Sequence, residues 1–292
     1  MSHHAEMQEQ STDSNEFVLA LGKPGEADCG RGVDEALGVM NVLQAQGIPS
    51  CVVGAKALVY YGAHRVPMVS RCHASKFTRF MRTLILAQSW EICVPTDSFG
   101  RAKTLLTSSP LSDKYELWHA MMPQPGSLVH TYPRFTLKGV NFFFVLMPAF
   151  EYLIDCSPDQ CERSPGGIVY PKLEHFAQGL LDTQRYADLA DLIDGMDLDE
   201  AWGEAHLQLD KPMPVEYIKE KNGLIAHHCP ESMKSGLPFA LLSESPRARD
   251  VWLRQVRTKD RRINEELGRH RFLTRFRKVG SADPRENKGR EV

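Results

Sequence analysis

The order in which strand-like and helical patterns follow one another most strongly limits the folds open to this chain. Three apolar runs of strand length, 48–53, 89–94 and 141–147, lie before residue 150. Farther on, 173–193 carries apolar residues at helical spacing, with aspartates on the opposite side. Strands followed by helices predict an α+β fold, in which a small mixed sheet with flanking helices precedes a helical C-terminal part.

Weaker patterns complete this prediction. Further strands are predicted over 115–119, 135–137 and 152–156, and further helices over 33–46, 55–61, 97–107, 198–209 and 246–267. Beyond residue 211 the chain becomes irregular up to the last of these helices. We divide it into a flexible tail (1–30), a core (31–160), a helical region (161–245) and a basic C-terminal helix and tail (246–292).

Composition excludes several classes of protein. Hydrophobic residues make up 42% of the 292 and charged residues 25%, which is typical of globular domains and excludes a wholly disordered chain. The longest apolar run, 142–150, is far short of the ~20 residues that a membrane-spanning helix needs. The polar N-terminus lacks an apolar signal segment and the seven cysteines are scattered, so we expect an intracellular, cytoplasmic protein with free thiols.

Charge is distributed unevenly along the chain. Residues 246–292 carry 15 lysines and arginines against 7 aspartates and glutamates, a net charge of +8 within a chain whose total is −2. A basic segment beside an acidic body either folds back onto that body or binds nucleic acid. Because acids are interleaved with the bases here, nucleic-acid binding through this tail is the less favoured alternative.

One segment interrupts the pattern of elements. Residues 69–88 hold four lysines or arginines and no acid, and they lie where a short connection between a helix and a strand is expected. Val69 and Ser70 can be encoded as a donor splice site, and Gln88 can be encoded by the CAG that ends introns. We therefore interpret 69–88 as an insertion, either a retained intron or a genuine basic loop or short helix.

The residues on either side of that insertion form a recognisable pattern. It consists of an apolar strand with a glycine turn (Val52-Val53-Gly54-Ala55), a helix end (Tyr61-Gly62-Ala63-His64-Arg65) and a strand bearing an acid (Ser89-Trp90-Glu91-Ile92-Cys93-Val94). In this order the segments resemble the nucleotidyltransferase superfamily that includes DNA polymerase beta, and most closely nucleotidyltransferase-like proteins of fungi. The resemblance covers about residues 33–156 and extends more weakly to about residue 210.

The resemblance implies a magnesium-dependent site for a nucleoside triphosphate. Gly54 and Ala55, at the start of a helix, would approach the phosphates, with Arg65 and Ser89 beside them. In this superfamily two acids at alternate positions of a strand and a third on a neighbouring strand hold two Mg²⁺ ions, which drive nucleotidyl transfer. Glu91 stands in the second position of the pair and Asp155 is the predicted third acid. These two residues are therefore the expected catalytic residues and metal ligands.

Departures from the superfamily pattern change the expected function. Ser89 replaces the first acid of the pair, and a neutral hydroxyl is a poor Mg²⁺ ligand. Glu91 and Asp155 alone offset too little of the charge of two such ions. We therefore predict a degenerate accessory module that binds a nucleotide, a small molecule or a protein, and we keep an active Mg²⁺-dependent nucleotidyltransferase as the alternative. Ser89→Asp is expected to tighten magnesium-dependent nucleotide binding.

Two other groups of residues have the composition of metal ligands. His227, His228 and Cys229 are adjacent, without the gaps that separate zinc ligands, and are predicted to lie in a loop. Cys156 and Cys161 form a pair with no second pair at ligand spacing. Neither group predicts a metal site.

Overall fold

The structure, a computed structural model, describes residues 32–63, 89–140, 142–244, 246–264 and 269–286. The predicted flexible tail 1–30, the insertion 69–88 and Arg65 lie outside the described residues. Within them, the helices are α1 (Val33–Ala45), α2 (Gly54–Tyr60), α3 (Phe99–Thr107), α4 (Leu173–Asp182), α5 (Tyr186–Met196), α6 (Glu200–His206), α7 (Val215–His228), α8 (Leu237–Ala240) and α9 (Ala248–Arg257). The strands are β1 (Cys51–Val53), β2 (Trp90–Val94), β3 (Tyr115–Trp118), β4 (Arg134–Leu137), β5 (Phe143–Pro148), β6 (Cys161–Arg163) and β7 (Val169–Pro171). The fold is mixed α+β.

A five-stranded mixed sheet forms the centre of the fold. Its strand order is β1-β2-β5-β4-β3, with β2 and β5 parallel and the other neighbours antiparallel. Every residue of β5 is buried, as the apolar run that contains it predicts for a central strand. Helix α2 contacts β1, β2 and α5, whereas α3 contacts β3 and β5. No helix in the described ranges combines the length and the apolarity needed to cross a membrane.

The strand register decides which side chains share a face of this sheet. Glu91 lies opposite Val53 of β1 and opposite Val145 of β5. Two residues farther along β2, Cys93 pairs with Cys51 of β1. Because alternate residues of a strand point to the same face, Glu91 and Cys93 share one face of β2.

The predicted strand over 152–156 is wrong. The chain leaves β5 through a short 3-10 turn, Ala149–Glu151, and Leu153 then takes a φ of 49°, which no strand residue adopts. Tyr152, Ile154 and Cys156 are nevertheless buried while Leu153 and Asp155 are exposed. This alternating burial resembles the period of a strand, although the segment pairs with no strand in the part of the chain that the structure describes.

Other sequence predictions need correction in the second half of the chain. The single helix predicted over 173–193 is two helices, α4 and α5, because Gln184 between them has a φ of 56°. The β6–β7 hairpin has no counterpart in the sequence prediction, and α7 lies where the chain was expected to be irregular. His227 and His228, predicted in a loop, form the last turn of α7.

Part of the basic C-terminal segment folds back onto the acidic body. Arg262 donates two hydrogen bonds to the buried carboxylate of Asp194, at 2.6 and 2.7 Å. Arg275 forms ion pairs with Asp194 at 2.6 Å and with Asp191 at 2.5 Å. These arginines of residues 246–292 thus pair with acids of α5.

Candidate functional site

Gly54 and Glu91 lie against each other, as the superfamily pattern implies. Gly54 follows β1 directly and begins α2 with a φ of 63°, a conformation that favours glycine. A Cβ atom on Gly54 would overlap the carboxylate of Glu91. Ala55, the next residue of α2, is partly buried. The carboxylate of Glu91 thus occupies the position that a side chain at residue 54 would take.

The carboxylate of Glu91 has protein partners of its own. The hydroxyl of Tyr152 donates a hydrogen bond of 2.7 Å to Oε2 of Glu91. The guanidinium of Arg185 lies 4.2 Å from the centre of the Tyr152 ring. Burial raises the pKa of Glu91, although the charge of Arg185 and the Tyr152 hydrogen bond oppose this rise. Glu91 therefore carries a negative charge less readily than an exposed glutamate does.

Glu151 is a second acid in this part of the fold, and sequence reasoning missed it. Its side chain is only 1% exposed. Lys221 forms an ion pair with Oε1, to which Tyr132 also donates a hydrogen bond of 2.5 Å, and Arg185 contacts Oε2 at 3.1 Å. Burial alone would raise the pKa of Glu151, but the charges of Lys221 and Arg185 outweigh it and hold this pKa below its ordinary value.

These interactions make one connected group, because Arg185 contacts Glu151 and lies over the ring of Tyr152, which binds Glu91. We call it the carboxylate cluster, and its members are Glu91, Tyr132, Glu151, Tyr152, Arg185 and Lys221. The members come from five separate parts of the chain, since Glu151 and Tyr152 are adjacent. In the sequence, Glu151 is a single acid that follows the apolar run 142–150. Nothing near it indicates that such a cluster exists.

Asp155, the predicted third acid, does not lie on a strand. Its side chain is exposed, and its Oδ1 accepts a hydrogen bond of 2.9 Å from the backbone N–H of Ser157. A carboxylate that bonds the backbone two residues ahead stabilises its own turn. The expectation that Asp155 and Glu91 lie on adjacent strands is therefore wrong, and a metal-binding role for Asp155 stays a prediction.

Ser89 has a cationic neighbour. Its hydroxyl accepts a hydrogen bond of 2.8 Å from Nε of Arg134, whose guanidinium also lies 4.9 Å from the centre of the Phe143 ring. Partial burial lowers the pKa of Arg134, but arginine keeps its charge at neutral pH. A carboxylate introduced by Ser89→Asp would meet this guanidinium, so the tighter magnesium-dependent binding expected of that variant must compete with an ion pair.

The residues present do not fit a pair of Mg²⁺ ions. Such ions need several ionised oxygen ligands that are free to coordinate them. Glu91 is bonded to Tyr152, with its pKa raised by burial, and Glu151 is paired with two cations. Ser89 offers a neutral oxygen beside Arg134. We therefore derive no reaction step through magnesium at this site.

Four buried cysteines lie next to the carboxylate cluster. The sulfur atoms of Cys51, Cys93 and Cys156 all lie within 4.8 Å of one another, and those of Cys51 and Cys156 are 3.7 Å apart. Cys161 is buried beside these three, but its sulfur is not within 4.8 Å of all of them and contacts the carbonyl oxygen of Asp155 at 3.7 Å. We call these four residues the cysteine cluster. Hydrogen bonds from the thiols of Cys51 and Cys93 lower the pKa of Cys156, although burial opposes this change.

Sequence reasoning missed the cysteine cluster, because Cys51 and Cys93 are far from Cys156 and Cys161 along the chain. The pairing of β1 with β2 brings the first two together, and the return of the chain after β5 adds the others. Among the described residues, Cys51, Cys93 and Cys156 are the one set of three or more histidine, cysteine, aspartate or glutamate side chains close enough to share an ion.

Comparison with known proteins adds no family to these observations. No protein-family model matches the chain, and no curated protein matches it. The resemblance to nucleotidyltransferases therefore rests on the residues already described.

Proposed function

We propose that this protein is a degenerate nucleotidyltransferase-like module that binds a ligand and does not transfer nucleotidyl groups. The observation that carries the proposal is the environment of Glu91, whose carboxylate fills the space beside Gly54 and accepts a hydrogen bond from Tyr152. An acid that is partly buried, hydrogen-bonded and raised in pKa is poorly suited to hold a divalent cation.

The nucleotidyltransferase-like core is supported by the order of its elements. Strand β1, the glycine turn at Gly54, helix α2 and strand β2 occur in the order that the superfamily pattern implies. The ligand of the module is a nucleotide, another small molecule or a protein. An accessory role of this kind needs the scaffold and its surface, but it needs no set of three ionised carboxylates.

The alternative is an active Mg²⁺-dependent nucleotidyltransferase. Its ions would have to be held by Glu91, which already accepts a hydrogen bond from Tyr152, beside Ser89, a neutral oxygen bonded by Arg134. Asp155, the other predicted ligand, does not lie on a strand and accepts a hydrogen bond from the backbone N–H of Ser157. This small number of ionised oxygens favours the binding module over the enzyme.

Calorimetric titration with a panel of nucleoside triphosphates, with and without Mg²⁺, tests the proposal together with an assay for pyrophosphate release. We expect no release of pyrophosphate with any acceptor. We also expect Mg²⁺ not to change the affinity of the protein for any nucleotide in the panel. The test variant is Glu91→Gln, and the matched control is Glu116→Gln, because Glu116 is an exposed glutamate on β3. Release by the unaltered protein that is lost in Glu91→Gln but kept in Glu116→Gln would establish the enzyme instead.

A further inference from the structure

The four members of the cysteine cluster come from four separate segments. Cys51 and Cys93 face each other across β1 and β2, Cys156 lies in the segment that follows β5, and Cys161 begins β6. Cys51 and Cys93 are fully buried, and Cys156 and Cys161 are 3% and 7% exposed. Of the five cysteines in the described ranges, only Cys229 lies elsewhere.

The spacing of the sulfur atoms suits one small ion. A zinc ion bound by four thiolates at about 2.3 Å in a tetrahedron separates neighbouring sulfurs by about 3.8 Å. Cys51 and Cys156 are 3.7 Å apart, and Cys93 lies within 4.8 Å of both. Thiols that touch one another leave no room for the inorganic atoms of an iron–sulfur cluster between them.

The cluster can be reached from the surface. A cleft of about 390 Å³ is lined by Cys156 and Cys161, together with Ser50, the residue before Cys51. Cys161 is bonded only weakly, through a 3.7 Å contact with the carbonyl oxygen of Asp155. An ion that enters the cleft therefore meets two of the four thiols first and the two fully buried ones behind them.

We infer that Cys51, Cys93 and Cys156 form the centre of a structural binding site for one zinc ion, with Cys161 at its rim as the fourth ligand. All four ligands are thiols, which are soft donors and select zinc over magnesium or calcium. Binding releases the thiol protons to the solvent and converts weak contacts between sulfurs into four coordinate bonds. The ion would tie the edge of the five-stranded sheet to the segment after β5 and to the β6–β7 hairpin. This site does not depend on the proposed ligand-binding function.

Metal titration of the full chain tests this inference. The protein is purified under reducing conditions, stripped with a chelator, and titrated with zinc and with cobalt(II), whose thiolate complexes absorb strongly. We expect one equivalent of zinc per chain, counted by native mass spectrometry, and a cobalt spectrum typical of tetrahedral thiolate coordination. Zinc should also raise the midpoint of thermal unfolding, because a ligand that binds only the folded chain stabilises it.

Single serine variants show which residues bind the ion. Cys156→Ser and Cys161→Ser should each weaken zinc binding at least about tenfold, a change of about 1.4 kcal/mol, while the control Cys229→Ser should leave it unchanged. Cys161→Ser is the variant best able to fold without zinc, because Cys161 lies at the rim of the cluster. Equal zinc binding by Cys161→Ser, Cys229→Ser and the unaltered protein would overturn the inference.

Discussion

Glu91 and Cys93 lie two residues apart on one face of β2, but their surroundings differ. The segment after β5 reaches both, because Tyr152 binds Glu91 and Cys156 contacts the backbone carbonyl of Cys93 at 3.6 Å. Around Glu91 the structure supplies a hydroxyl and, through Tyr152, a guanidinium. Around Cys93 it supplies only further thiols.

The two clusters differ in how the loss of water around their buried polar groups is offset. In the carboxylate cluster every charge has a partner inside the protein, so the cluster gains nothing from a metal ion. In the cysteine cluster the thiols are weak donors and weak acceptors to one another, so an ion would form stronger bonds than those it replaces. We therefore expect the cysteine cluster to bind a metal ion, whereas the sequence pattern predicted metal binding at Glu91.

Replacing Glu151 should have the largest effect of the changes that separate the two clusters. Glu151→Gln removes the charge that Lys221 and Arg185 share and leaves a buried lysine unpaired. Breaking one side of a buried ion pair costs about 3–5 kcal/mol, so the free energy of unfolding should fall by that amount. Urea denaturation at neutral pH measures the change.

A matched control for this variant is Glu231→Gln. Glu231 is an exposed glutamate that forms an ion pair with Lys234 on the surface, and such pairs contribute at most about 1 kcal/mol. Equal losses in the two variants would show that Glu151 is not a buried structural charge. The conclusion that its carboxylate is fully engaged by the protein would then be wrong.

The sequence predicted what depends on local pattern and failed where distant segments meet. Helix α1, strand β2 and the glycine turn at Gly54 were predicted within one or two residues, because apolar periodicity and turn residues specify them locally. The contact of Gly54 with Glu91 also agrees with the superfamily pattern. The partners of Glu151 are Tyr132 just before β4, Arg185 just before α5 and Lys221 within α7, and no local signal joins these parts.

In the second half of the chain, the predictions over 152–156 and 173–193 are wrong for a different reason. The burial of Tyr152, Ile154 and Cys156 alternates as it would in a strand, but the positive φ of Leu153 is set by how the segment turns back across the sheet. Likewise, no apolar pattern distinguishes one long helix over 173–193 from two helices that join at Gln184. Tertiary packing determines both the turn at Leu153 and the break at Gln184, and the local pattern of a single sequence does not reveal it.

A change at Gly54 should have an intermediate effect. Gly54→Ala places a Cβ atom onto the carboxylate of Glu91 and also forces a φ of 63° on a residue with a side chain. Strain and overpacking of this kind cost about 1–3 kcal/mol, which urea denaturation resolves. Combining Gly54→Ala with Glu91→Ala should recover part of the loss, because the smaller side chain removes the overlap.

Gly100→Ala is the control for that prediction. Gly100 lies in α3 with open space where its Cβ atom would be placed, so alanine there should be neutral or stabilise the helix by up to about 1 kcal/mol. A double variant no more stable than Gly54→Ala alone would show that backbone strain, and not contact with Glu91, explains the cost.

The smallest predicted effect concerns pH, and it separates the two acids of the carboxylate cluster. Burial raises the pKa of Glu91, so the folded chain keeps the proton of this carboxyl group at pH values where the unfolded chain has released it. The stability of the fold therefore decreases as the pH rises from the pKa of Glu91 in the unfolded chain towards its raised pKa in the folded chain. Glu151 acts in the opposite sense, because its lowered pKa contributes stability that is lost as pH falls. Glu91→Gln keeps an oxygen for the Tyr152 hydroxyl but cannot ionise, so its stability relative to the unaltered protein should increase as the pH rises from the ordinary range of a glutamate towards neutral. Urea denaturation of both proteins across that range gives the difference directly. A difference that stays constant or decreases with pH would mean that Glu91 ionises as easily as an exposed acid, and it would again be a candidate metal ligand.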